Sequence, residues 1–182
     1  MEDHAYILDF LAQGPVDGRR FKREPLAFAL GETEFKLLEL VPKDDATLTL
    51  GERIYIGKEV HLRTKVLHVK RRVGMNELTA AAQNELPFVL EQLVKAQEER
   101  FVAFYNEAGA VSTRLHILEL LPGLGKKTML KIVEERKRKP FASLADLSER
   151  VPLVHHPEKL IARRIEQEIS DPSQKYHIFV AP

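Results

Sequence analysis

The sequence predicts an α+β protein: a small N-terminal β-barrel followed by an all-α domain. Two observations carry this. Up to Gly74 the apolar residues come in short alternating runs separated by Gly, Pro and Asp, at the spacing of strands in a small barrel. After Gly74 the chain turns to Ala, Leu, Glu, Gln and Lys, with apolar residues at helical spacing.

The bounds are those of one ordinary domain or two small ones. The chain has 182 residues, of which 44% are hydrophobic and 30% charged, enough for a packed core under an ionised surface. Its formal net charge of +1 says little about partners, but the charge is uneven. Residues 1–60 hold 8 basic and 12 acidic residues (−4), residues 61–114 hold 8 and 6 (+2), and residues 115–182 hold 12 and 9 (+3). Cysteine is absent, which excludes disulfides, thiolate metal sites and a cysteine nucleophile. The start MEDHAYILDFLAQG is acidic and its apolar run is broken by Asp9, so neither a signal peptide nor a membrane span is expected, and a cytoplasmic protein is.

In the first part, AYILDFLAQG reads as a strand and VDGRRFKREP as a loop around Gly18 and Pro25. LAFALGETEFKLLELVPK reads as a hairpin turning at Gly31-Glu32. LTLGERIYIGK alternates around Gly51, with Ile54 and Ile56 on one face. VHLRTKVLHVKRRVG places Val60, Leu62, Val66 and Val69 among cations in a further strand.

In the second part, Leu86, Leu90, Leu93, Val94, Gln97 and Phe101 follow helical spacing with one lapse. Pro87 fits the first turn, which puts the start near Asn84. Ala108-Gly109 ends that pattern, and Ser112 or Thr113 is expected to cap a helix over TRLHILELL with Leu115, Leu118 and Leu121 inside. The chain turns at PGLG and enters KKTMLKIVEERKRK, which stops at Pro140. A short helix capped by Ser143 and a last helix opened by Pro157 follow, and Tyr176, Ile178 and Val180 stand at strand spacing in the tail, expected to add to the β domain or pack along it.

The stretch LLPGLGKKT, residues 120–128, carries the most chemistry. Gly123 and Gly125 permit backbone conformations closed to other residues and leave their amides bare. Leu124 points back into the helix pair. The next helix begins at Lys126, so its first N–H groups lack intrahelical partners and its dipole makes that end electropositive. Bare amides there suit a phosphate oxygen, Lys127 adds charge and Thr128 a hydroxyl. Such contacts hold nucleic-acid backbone without reading bases.

LELLPGLGKKTMLKI resembles the helix-hairpin-helix motif of nucleic-acid-binding proteins. The resemblance implies backbone contacts from Gly123, Gly125, Lys127 and Thr128, flanked by Leu124, Lys126 and Lys131. Lys126 stands where the motif often has Pro, and Met129 where a small residue closes the helices. Shifted by 30, Leu121-Pro122 falls on Val151-Pro152, Gly125 on His155 and Leu130 on Leu160. This is similar to the second half of a tandem motif whose hairpin, VPLVHHPEK, lacks glycine and is read as mainly structural. Through KRRVGMNELTAAAQNELP, ERFVAFYNEAG, LHILELLPGLGKKTM and RRIEQEI the whole chain resembles an uncharacterised archaeal family, a domain of unknown function read as nucleotide- or nucleic-acid-binding. That resemblance implies an OB-like β domain over 1–74, connecting helices over 75–110, a tandem helix-hairpin-helix domain over 111–170 and a tail over 171–182.

A second cationic stretch, residues 61–72, holds Arg63, Lys65, Lys70, Arg71 and Arg72 and no acid. It reads either as a groove for a single strand, for which Tyr55 is the nearest stacking aromatic, or as an edge strand guarded by charge. The basic residues of KIVEERKRKP suit a helix C-terminus without any ligand. His155-His156 lacks the neighbours a metal site needs, so no metal and no cofactor are expected. No motif for nucleophilic or acid–base catalysis is present, and a non-enzymatic protein is expected. The expected partner is nucleic acid, DNA or RNA, single- or double-stranded, held through residues 121–131 with Arg63, Lys65, Lys70, Arg71 and Arg72 of the basic β domain extending the site. The alternative is a protein-docking or dimerisation module, which a large apolar patch near Met129 would favour.

Overall fold

A computed structural model describes residues 1–15 and 24–182. The loop read around Gly18 lies outside the described residues. The fold is α+β, with a curled five-strand antiparallel sheet and five α-helices among the described residues. The described residues form two compact units, one of Met1–Val89 with Glu168–Pro182 and one of Leu90–Gln167.

In the first unit the strands are β1 (His4–Leu11), β2 (Leu26–Gly31), β3 (Leu37–Pro42), β4 (Arg53–Tyr55) and β5 (Val66–Arg72), in the order β4-β1-β2-β3-β5. The expected hairpin is the β2–β3 pair, with Leu30 opposite Leu37. Register shifts at Ile7/Asp9 in β1 and at Glu39/Leu40 and Val41/Pro42 in β3 mark bulges, which bend strands and increase twist. One face packs Ala5, Ile7, Ala27, Ala29, Leu38, Leu40, Ile54, Ile56 and Val66 into a core. Tyr6, Leu8, Phe28, Leu30 and Leu37 are buried as well, so the inner strands are covered on both faces. Gly31 belongs there for a local reason. The buried Glu2 carboxylate accepts the Thr33 and Glu34 amides, both at 2.7 Å, and a Cβ on Gly31 would lie 2.2 Å from its Oε1.

Several expected boundaries move. The basic strand begins only at Val66; Val60–Leu62 is a 3-10 turn, with Val60 and Leu62 exposed. Helix α1 (Ala80–Ala96) starts four residues before Asn84, which puts Pro87 inside it. The start is fixed by Thr79, whose hydroxyl accepts the Ala82 amide at 3.1 Å and donates to Asp9 at 2.6 Å. Burial of Leu86, Val89, Leu90, Leu93 and Val94 offsets the cost of an interior proline, about 3 kcal/mol. The one lapse in helical spacing, Gln97, is the break between α1 and α2 (Glu98–Glu107).

The tail forms no strand. Its amides turn instead to the buried Glu168 carboxylate, which accepts Ile178 N at 2.8 Å, Phe179 N at 2.9 Å and Val180 N at 2.8 Å.

The second unit holds α3 (Lys126–Arg138), α4 (Leu144–Arg150) and α5 (Pro157–Ser170) beside α2. Ser143 caps α4 as expected, accepting Asp146 N at 2.9 Å. Over TRLHILELL the expected α-helix is absent. Ile117–Leu120 is a 3-10 helix, Ser112 and Thr113 are exposed, and the cap is His116. Polar links fix the helices of this unit. Tyr105 donates to Pro157 O at 2.9 Å, Asn106 exchanges two hydrogen bonds with the Phe141 backbone, and Arg150 donates to Glu135 O at 2.7 Å and Lys139 O at 2.6 Å at the end of α3.

Candidate phosphate-binding turn and its surroundings

The 121–131 turn is built around one backbone bond and one unusual dihedral. Leu124 N donates to Leu121 O at 3.1 Å, and Gly123 sits at φ +83°, in the left-handed region that disfavours a side chain. Gly125 is different: at φ −84° and ψ 176° it is in extended backbone that any residue adopts. Only one of the two glycines is therefore required by conformation. A Cβ on either would meet nothing within 4 Å, so the Cβ side of both residues is open space. Leu121 and Leu124 are buried and anchor the turn, and Met129 is buried behind it.

Gly125 is the N-cap of α3 and offers no side-chain acceptor, so the first amides of the helix, Lys126 to Thr128, are uncapped. The first intrahelical bond runs from Met129 N to Gly125 O at 2.9 Å. Lys126 and Lys127 are exposed and have no carboxylate partner among the described residues. Lys131, one turn on, lies 3.4 Å from Glu134 and 3.7 Å from Glu135.

Thirty residues on, the backbone repeats the turn. Val154 N donates to Val151 O at 2.9 Å, both residues are buried, and α5 follows as α3 follows the first turn. Leu153, at the position of Gly123, has no left-handed φ, which is why this turn needs no glycine. The two turns face one recess of about 200 Å³, lined by Gly123, Leu124 and Thr128 from one side and by His155, His156, Lys159 and Arg163 from the other. The sequence reading did not single out Lys159 and Arg163. Their signal was the i, i+4 spacing of two cations just after the shifted repeat. Among the described residues no three His, Asp or Glu side chains gather to hold a metal ion.

The 61–72 cations are placed otherwise. Arg63 donates to Gly57 O at 2.7 Å and Leu67 O at 3.0 Å, so it fastens its own loop. Lys65 pairs with Glu52 and donates to Thr47 O at 3.1 Å. Lys70 and Arg71 reach the buried Glu39 at 2.6 and 2.7 Å, and Arg71 also reaches Glu77 at 2.5 Å. Arg72 donates to Ala181 O at 3.4 Å. Each of the five thus has a partner within its own unit. Arg71 is held in its charged form first by Glu77 and then, against its own desolvation, by Glu39.

Just before the first turn, His116 Nδ1 accepts the Leu118 amide at 3.1 Å, while Glu119 accepts the His116 amide at 2.8 Å. Burial, and then the nearby Arg136 guanidinium, hold the imidazole pKa below its ordinary value. A proton on Nδ1 would remove the acceptor. The unfolded chain therefore protonates first as pH falls. The stabilisation is complete above the unfolded value of about 6.5 and is lost as pH drops below it. We expect wild-type protein to lose more urea resistance between pH 7.5 and 5.5 than His116→Asn, which keeps a capping acceptor without a titrating ring. Equal losses in both proteins would refute this role.

No helix among the described residues is long and apolar enough to cross a membrane. Against known proteins, this architecture is not isolated. The chain is 46% identical over 180 residues to the uncharacterised protein MJ0038 of Methanocaldococcus jannaschii, spanning 98% of this chain and 80% of that protein. The crystal structure of Af1531 from Archaeoglobus fulgidus superposes with a TM-score of 0.93 at 46% identity, covering 99% of this chain and all of that one. The family described as "Protein of unknown function (DUF655)" matches residues 1–181, and the chain belongs to that family.

Proposed function

We propose that this protein binds nucleic-acid backbone, DNA or RNA, without reading sequence, through the turn at 121–131. The observation that carries the proposal is the uncapped N-terminus of α3. Its open glycine turn and two lysines without a carboxylate partner, Lys126 and Lys127, form a set of donors with no acceptor among the described residues. Thr128 extends the set, and Lys131, one turn away, would join only by leaving Glu134 and Glu135. The repeated turn bond at Leu121–Leu124 and Val151–Val154 supports reading 111–170 as a tandem helix-hairpin-helix domain, with 75–110 as connecting helices, 171–182 as a tail and a 3-10 helix as the opening arm of the first copy. The strand order and bulges support reading 1–74 as OB-like. In this reading the protein binds and carries out no chemistry of its own, and the 61–72 cations serve mainly the fold of the sheet.

The test compares two alanine variants by oligonucleotide anisotropy across salt, with folding checked by circular dichroism. Lys127→Ala should lower the slope of log affinity against log salt by about 1, the loss of one phosphate contact. Arg71→Ala should leave the slope unchanged, because its guanidinium is already engaged by Glu39 and Glu77. The reverse result would place the site on the sheet and leave the turn a structural connector.

A protein-docking module is the second reading, favoured by one observation. Leu130 and Leu153, near the buried Met129, are both exposed. Binding of a protein partner that survives high salt, with no oligonucleotide binding at low salt, would favour it.

A further inference from the structure

Beside the lysines of the turn runs a groove of about 620 Å³ that phosphate contact alone leaves unused. Lys126, Lys127 and Lys131 line it together with Glu134, which pairs with Lys131 and leaves Lys126 and Lys127 as the cations open to an anion, and Leu130, Val151, Pro152 and Leu153 form its apolar part. Leu130 is 56% and Leu153 58% exposed, large for leucines packed beside three cations. Solvated leucine is a cost that a ligand can remove. The ligand that fits is amphipathic on the scale of a single nucleotide: anionic where the lysines are, flat and apolar where the leucines are.

A duplex does not offer that. Its phosphates lie outside and both faces of every base are already stacked, so the leucines would meet sugar or water. A single strand can turn one base away from its neighbours at little cost and lay its face on an apolar surface. An amphipathic peptide helix fits less well, because it needs anchors at i, i+3 or i+4 and i+7 along a groove. Here the exposed apolar residues are Leu130, Pro152 and Leu153, too few for that row of anchors.

Resting on the backbone-binding reading above, we infer that this groove seats an unstacked nucleobase next to the clamped phosphate, and that the protein selects single-stranded over double-stranded nucleic acid. The lysines hold the strand, and the leucines distinguish a strand with free bases from one without.

The test uses the full chain and three labelled probes of equal length: an oligothymidine strand, the same backbone with its bases removed, and a duplex. DNA and RNA strands are run in parallel. The base-bearing strand should bind at least about fivefold tighter than the abasic one, the change expected from covering part of a leucine side chain. Leu153→Ala and Leu130→Ala should remove that difference without altering the salt slope, which counts phosphates only. Lys127→Ala should do the opposite, lowering the slope and leaving the base-dependent ratio intact. Both leucines are solvent-exposed, and the abasic comparison on wild-type protein needs no variant at all. If all three probes bind equally and the leucine variants change nothing, the groove holds no base while backbone binding stands. If no probe binds at low salt, backbone binding itself fails and this inference with it. If an acidic amphipathic peptide binds tighter than any strand and is lost in Leu153→Ala, the groove is a protein dock.

Discussion

Replacing Glu168 by Ala is expected to destabilise the first unit by about 3–5 kcal/mol and to release the last residues of the chain. The carboxylate is 1% exposed and accepts three consecutive amides, from Ile178, Phe179 and Val180, at 2.8–2.9 Å. Hydrogen bonds to a charged acceptor are about twice as strong as neutral ones, and among the three donors left unpaired the buried Val180 amide carries the largest desolvation penalty. Arg72, which donates to Ala181 O, is too exposed and too distant at 3.4 Å to hold the tail alone. Urea denaturation should show the loss, and limited proteolysis should cut the variant near residue 178 where wild type resists. Glu168→Gln should fall between the two, because its amide group presents one acceptor and one misplaced donor. A Glu168→Ala protein with wild-type stability and an uncut tail would mean that the three bonds contribute nothing net.

The second large effect separates the two glycines of the turn. Gly123→Val should cost about 2–3 kcal/mol, because a β-branched residue at φ +83° meets the left-handed penalty in its most severe form. Gly125→Val should cost little stability: its backbone is extended and its Cβ would point into open space. That same open space is where the proposed phosphate approaches the amides of α3, so Gly125→Val should weaken oligonucleotide binding about tenfold in a protein that melts like wild type. Thermal unfolding and anisotropy on the two variants make the comparison. Full binding by a stable Gly125→Val protein would exclude the amides as the contact, whatever the lysines do.

Lys126 and Lys127 illustrate what a sequence reading can and cannot separate. Five cations in residues 61–72 read as a second candidate contact behind the lysines of the turn. Three of them are engaged by acids, Glu52, Glu39 and Glu77, that lie 13, 31 and 6 residues away, and Arg63 and Arg72 by backbone carbonyls. Pairing over such separations is invisible to composition and spacing, whereas the lack of a cap at Gly125 is local and could be read directly. The same division runs through the helices. Ser143 caps α4 by contact with a residue three positions on, and was legible. The first arm of the turn was misread because His116, not Ser112 or Thr113, holds its start, and the bonds it makes favour a four-residue 3-10 helix.

By itself the sequence determined that this is an α+β chain whose strands give way to helices after Gly74, because periods of 2 and of 3.6 are properties of neighbouring residues. It also determined the turn at 120–128, because a positive φ and an uncapped helix start are local demands with few chemical solutions. Only the tertiary structure decided where α1 begins, since burial of Leu86, Leu90 and Leu93 outweighs the proline between them. It alone decided that the tail is held by a carboxylate rather than by a strand, since Glu168 offers its amides a buried charged acceptor. And it alone brought Lys159 and Arg163 to the recess shared with Gly123 and Thr128, because that meeting depends on two turns thirty residues apart packing face to face.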